Sequence, residues 1–164
     1  MIDDIMTIAD DFPRILMERR SVVVRLDEHL LDNDFATTDR HLISINAKLF
    51  NDKEYLKSEY ESVEKIRAFV KGTTYRSVIR HELGHVVANI YNIDTMKIAK
   101  IVLKTDRQND IYRYVMDNLS LYAAEYENGI EFISECFSAY YSNIDNHFAR
   151  EYVNKCKELT KEGD

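Results

Sequence analysis

The chain has 164 residues, 45% of them hydrophobic and 31% charged, with a net charge of -7. That length suits a single domain spanning residues 1–164 with a real core. The acidic balance excludes a broad phosphate-binding surface, so no nucleic-acid partner is expected. One proline and four glycines leave little room for a flexible linker. The start, Met1-Ile2-Asp3-Asp4, is acidic where a secretory signal is basic, and no stretch reaches the length of a transmembrane helix. Cys136 and Cys156 are too few for a disulfide framework. The expectation is a cytoplasmic protein without a membrane segment, its two cysteines reduced, helical and partly buried.

Ile2, Ile5, Ile8 and Ala9 predict a short N-terminal helix that Pro13 ends or kinks. Two runs are strand candidates, Ser21 to Leu26 and His41 to Ala47. The second sets Ile43, Ile45 and Ala47 on one side, Ser44 and Asn46 on the other. Asp32-Asn33-Asp34 between them reads as a turn or exposed loop. Asn51 or Asp52 caps a charged amphipathic helix predicted to reach about Val70 and to close at Gly72. A second helix follows directly, with Thr73 or Thr74 as its cap and Ile79, Leu83, Val86 and Ile90 as its apolar seam. Gly84 costs that helix about 1 kcal/mol relative to alanine, which a closely packed neighbour would explain. Met96 to Leu103 is ambiguous between helix and strand. Arg107 to about Leu119, Glu131 to Tyr141 and Asp145 to Leu159 read as helices. A small sheet followed by packed helices is an α+β arrangement.

The second of those helices carries His81-Glu82-Leu83-Gly84-His85, an HExxH motif. Histidines at i and i+4 share a helical face and can ligate one zinc ion. The intervening Glu82 is placed to act as general base on a metal-activated water. A catalytic site needs a third protein ligand and one position left for water. His29, His41, His147 and the downstream carboxylates are candidates. His29 and His147 read better as surface residues, and nothing specific brings His41 to the cleft. Glu131 is the best choice. It opens Glu131-Phe132-Ile133-Ser134-Glu135-Cys136-Phe137, a helix so apolar that it is expected to be internal. Its two carboxylates, one turn apart, then need a cation and a histidine as partners.

HELGH followed at this interval by Glu-Phe-Ile-Ser-Glu-Cys-Phe resembles the gluzincin metallopeptidases of the anthrax lethal factor and Pro-Pro endopeptidase type. The likeness covers roughly residues 74 to 145. It implies a zincin-like fold, a small mixed sheet packed with the active-site helix and further C-terminal helices. It also implies a zinc-dependent endopeptidase acting on a protein or peptide, with Glu131 as ligand and Glu135 supporting the site from behind. The family's oxyanion tyrosine implies Tyr122 in that role, with two extra residues absorbed at Asn128-Gly129; Tyr126 is the alternative. By analogy with zincins, the strand around Leu42 to Asn46 is expected to offer an edge to an extended peptide. Two other readings stay open. One is a cytoplasmic regulatory protease of a mobile element that cleaves a repressor, although such proteins place the acidic ligand nearer the motif. The other is a zinc-stabilised binding module that does not cleave. Glu82 weighs against it, since a structural site needs no base and closes with a fourth ligand.

Overall fold

The chain folds as α+β. This computed structural model describes residues 1–17, 21–125 and 128–161, and among them are eight α-helices and one three-stranded mixed sheet. None of these helices is long and apolar enough to cross a membrane. Helix α1 (Ile2–Asp11) buries Ile8 and Ala9, and Pro13 then opens a 3-10 turn, Pro13–Leu16. The sheet contains β1 (Val23–Asp27), β2 (Ala36–Asp39) and β3 (Leu42–Asn46) in the order β1-β3-β2. β1 runs parallel to β3 and β2 antiparallel to it.

Two sequence expectations change here. β3 is the central strand, paired on both sides, so the edge expected at Leu42 to Asn46 is not free; the sheet edges are β1 and β2. Strand β2 was not foreseen, because Ala36-Thr37-Thr38-Asp39 is short and polar and lacks an apolar alternation. Both faces of β3 are also covered. Ser44 accepts a hydrogen bond from Arg25 Nε at 3.0 Å. Asn46 is fully buried and donates to the carbonyls of Leu31 and Asp34 at 2.9 and 2.8 Å. Its Oδ1 accepts from Lys48 N and so caps α2 (Ala47–Phe50), which takes Ala47 out of the strand.

Asp52 caps α3 (Lys53–Lys65) by accepting from the amides of Glu54 and Tyr55. This helix stops about five residues short of the expected Val70. The backbone of residues 67–70 is committed elsewhere: the carbonyls of Arg67 and Ala68 accept from Leu121 and Tyr122, and the Val70 amide donates to Glu135. α4 (Ser77–Tyr91) begins later than expected, and neither Thr73 nor Thr74 caps it. The Thr73 hydroxyl instead donates to the Val70 carbonyl at 2.6 Å and pairs with Tyr60. The ambiguous segment is helix α5 (Thr95–Leu103), capped by Asp94. α6 (Gln108–Asn118), a 3-10 turn at Tyr122–Ala124, α7 (Ile130–Tyr141) and α8 (His147–Lys161) complete the chain.

The core is built around α7, whose residues Glu131 to Ala139 are buried without a break. It packs between α4 and α8. Cys136 and Cys156 are free thiols, both completely buried rather than partly so. Gly84 explains how closely α4 and α7 approach. A Cβ there would lie 2.7 Å from Ser134 Cα and 3.2 Å from the Ile133 carbonyl oxygen. Both are backbone atoms that cannot rotate aside.

Gly84→Ala should therefore destabilise the fold. The gain in helix propensity is about 1 kcal/mol, but overpacking against backbone reaches about 3 kcal/mol, leaving a net loss of about 2. Urea unfolding measures it, and a variant as stable as wild type would mean the helices can part freely. Ser134→Ala is the contrasting case. Its hydroxyl is buried with no hydrogen-bond partner, so removing it should leave stability unchanged or raise it by up to about 1 kcal/mol.

Candidate metal centre

Two helices bring the predicted residues together. α4 supplies His81, Glu82 and His85, and α7 supplies Glu131 and Glu135. His81 Nε2 lies 3.1 Å from Glu131 Oε2, and His85 Nε2 lies 3.2 Å from the same oxygen. These three ligand atoms form a group that could hold a metal ion, and His29, His41 and His147 take no part in it. His29 and His147 are exposed.

The residues fit a cation on two grounds. Ligand atoms held about 2.0–2.1 Å from one tetrahedral ion lie roughly 3.3 Å apart, close to the separations found here. The second ground is the orientation of His81. Its Nδ1 lies 2.8 Å from Glu135 Oε1, and a carboxylate only accepts, so Nδ1 carries the proton. In the neutral ring this turns the Nε2 lone pair towards Glu131. Glu131 Oε2 is itself buried and receives no hydrogen bond, although two imidazole nitrogens stand beside it. A lone pair and a carboxylate oxygen facing each other at 3.1 Å need a proton or a metal ion between them.

Glu135 does more than orient His81. It is 1% exposed, and its second oxygen, Oε2, accepts from the Val70 amide at 3.1 Å. The carboxylate is thus satisfied at both ends, as a buried charge must be. A histidine ligand whose other nitrogen donates to a carboxylate has its tautomer and ring plane fixed.

Glu82 faces the sheet. Thr38 Oγ1 of β2 donates to Glu82 Oε2 at 2.6 Å. The sequence reading missed Thr38 because it missed the strand; the β-branched pair Thr37-Thr38 was the available signal. Tyr122 lies beside the centre, its ring centroid 5.8 Å from that of His81 and 5.8 Å from that of Phe69. Asn128-Gly129 forms the expected turn before α7, with Gly129 at φ 65 and Asn128 Oδ1 accepting from the Ile130 amide. Tyr126 lies outside the described residues. His81, Glu82, Glu135 and Tyr122 open into a cleft of about 200 Å³ with Phe35, Ala36, Tyr60, Val63 and Phe69 on its walls. Phe69 had been assigned to a helix, so its place here was not legible either.

Without an ion, protons take up the strain. Burial works against the His81 imidazolium, but Glu131 and Glu135 outweigh it and raise its pKa well above the usual histidine value. Burial likewise pushes the Glu131 carboxyl up, yet the two imidazoles hold it at about 2. The raised His81 contributes stability that is complete below about 6.5 and lost as pH rises through its folded pKa. The lowered Glu131 contributes stability present above about 4.5 and lost as pH falls towards 2.

Compared with protein-family profiles, with curated proteins and with solved structures, the chain finds no match. The chemistry of the site must be read from the residues alone.

The metal-free protein should accordingly be most stable between about pH 4.5 and 6.5 as far as this pair decides it. A divalent ion must displace the His81 proton, so the rise in melting temperature on adding excess metal should grow from pH 5 to pH 8 (about). Thermal melts with and without metal across that range check both statements. A metal-induced rise independent of pH would mean that His81 is not a ligand.

Proposed function

We propose that this protein is a zinc-dependent endopeptidase of the gluzincin type, with a zincin-like fold. The observation that carries the reading is the convergence of His81 Nε2, His85 Nε2 and Glu131 Oε2 within 3.1–3.2 Å of one another across the Glu131 oxygen, with Glu82 on the same helix. Two histidines and one carboxylate suit zinc, and three protein ligands leave a coordination position open, whereas structural zinc sites are closed by four. Bound there, zinc would supply Lewis acidity, polarising a peptide carbonyl and acidifying a water.

The chain's own residues do the rest. Glu82 takes the proton of the attacking water and passes it to the leaving amine. Thr38 holds the Glu82 carboxylate by its 2.6 Å hydrogen bond, which limits where the base can point. Tyr122 donates to the developing oxyanion. Strand β2 pairs only with β3, so its outer edge is available to an extended peptide, and Thr38 ties that strand to the base. The cleft beside His81, walled by Phe35, Val63 and Phe69, takes an apolar side chain of the substrate.

Protein purified without added metal should carry one zinc per chain by elemental analysis. Glu131→Ala should weaken zinc binding far more than Glu135→Ala, the latter by about 10–100-fold as for a residue that orients a ligand. Glu82→Gln should keep zinc and fold while abolishing turnover of a peptide library. Cleavage by the Glu82→Gln protein at the wild-type rate would sink the mechanism, and a chain that takes up no transition metal would sink the whole reading.

Tyr122→Phe should lower kcat by roughly one to three powers of ten with KM little changed. Zinc content and melting temperature should stay at wild-type values, because the ring still fills its place. Tyr126→Phe is the matched control. Activity lost in the control and kept in Tyr122→Phe would move the role to Tyr126.

A further inference from the structure

Between α3 and α4 the chain makes an irregular crossing at residues 66–76, and its first part touches the metal centre in four ways. Arg67 leaves α3 at φ 61, a left-handed conformation that an L-residue keeps only when its surroundings over-determine it. Its guanidinium Nη2 donates to the carbonyls of Met116 and Asp117, both at 3.0 Å, in the last turn of α6. Those carbonyls have no partner inside the helix. Its own carbonyl accepts from the Leu121 amide at 2.9 Å, and the Ala68 carbonyl accepts from the Tyr122 amide at 3.0 Å. Phe69 then stands edge-on to the Tyr122 ring at 5.8 Å and stacks on Tyr60 at 5.2 Å. The Val70 amide ends the series on Glu135 Oε2, whose other oxygen holds His81.

Tyr122 therefore hangs from residues 67–69 by its backbone and leans on them by its ring, while Glu135 registers the same four residues against His81. Arg67 fixes the far end by gripping α6 immediately before the chain turns towards Tyr122. We propose that residues 67–70 are a positioning strap for Tyr122, and that Arg67 is the positioning residue that anchors it. The catalytic consequence rests on the endopeptidase reading above; the positioning does not. Arg67 is exposed and lies outside the metal ligands, so its side chain can be removed without opening the core.

The test follows Tyr122 directly. 3-Fluorotyrosine is incorporated at position 122, and its 19F resonance is recorded as zinc is added to the full chain. The zinc-induced shift seen with Arg67 present should fall by at least about half in Arg67→Ala and lie between the two in Arg67→Lys, which retains a single donor group. Zinc affinity, measured by competition with a chelator, should change by less than about twofold, because no ligand is touched. In turnover, Arg67→Ala should lower kcat about tenfold at constant KM, and should cost less than about twofold more when Tyr122 is already phenylalanine. A full zinc-induced shift in Arg67→Ala overturns the strap, as does the absence of any shift with Arg67 present. An undiminished kcat loss in the Tyr122→Phe background overturns it too, since Arg67 would then act by another route. Should the zinc-loaded wild type cleave no peptide while the shift depends on Arg67 as expected, the strap stands and the endopeptidase reading falls.

Discussion

The approach of α4 to α7 is set by the absence of a side chain at Gly84, which lets the backbone at Ser134 come within what would be 2.7 Å of a Cβ. That distance decides the rest. It puts Glu131, three residues before Ser134, opposite His81 and His85, and it puts Glu135, one residue after, against the far side of His81. Two carboxylates 6% and 1% exposed each carry a desolvation cost of several kcal/mol. One imidazolium between them leaves the group one negative charge short of neutrality. A divalent ion with both histidines neutral balances the two carboxylates completely. The protonated state is the arrangement the chain adopts on its own, and the metal-bound state is the one its charges match.

This pairing also accounts for the irregular parts of the fold. Glu135 has two oxygens, and only one is needed to orient His81. The other takes the Val70 amide, and with that bond α3 cannot continue. Residues 66–76 become a crossing whose amides and carbonyls are spent on α7 and on the segment carrying Tyr122. A buried carboxylate that must be satisfied at both ends thus shapes a loop ten or so residues long on the opposite side of the cleft.

What could be read in the sequence follows from which interactions are local. HExxH is legible because helical spacing alone puts His81 and His85 on one face. Glu131 and Glu135 were legible because two acids in so apolar a helix demand partners. The early end of α3 was not, since Leu56, Tyr60 and Val63 keep helical spacing and nothing local marks the break at Ile66; it is imposed by Glu135, sixty-five residues beyond Val70. Strand β2 was hidden for a related reason. Ala36 to Asp39 is held by pairing with β3 and by Thr38 on Glu82, both long-range, while its own pattern is that of a loop. The central place of β3 is likewise a matter of topology, and topology is not written in the alternation of a single strand. The zincin-like reading of the fold, drawn from the resemblance, goes further than the α+β architecture itself.

The cleft and the chemical centre share their supports, which ties substrate fit to catalysis in the proposed reading. Tyr60 is the clearest case. Its hydroxyl meets Ser77 Oγ at 2.6 Å and Thr73 Oγ1 at 2.8 Å, and burial pushes its pKa up to about 12, so it stays a neutral donor throughout the working range. Ser77 is the first residue of α4, whose start has no side-chain cap of its own. Tyr60 therefore steadies the first turn of the helix that carries His81, one turn away. The same ring stacks on Phe69 and meets Phe35 edge-on, so two walls of the cleft rest on it. A substrate side chain that pressed on Phe69 would push on Tyr122 from one side and, through Tyr60, on the start of α4 from the other. Filling the cleft and aligning the centre are, by these contacts, one packing problem rather than two.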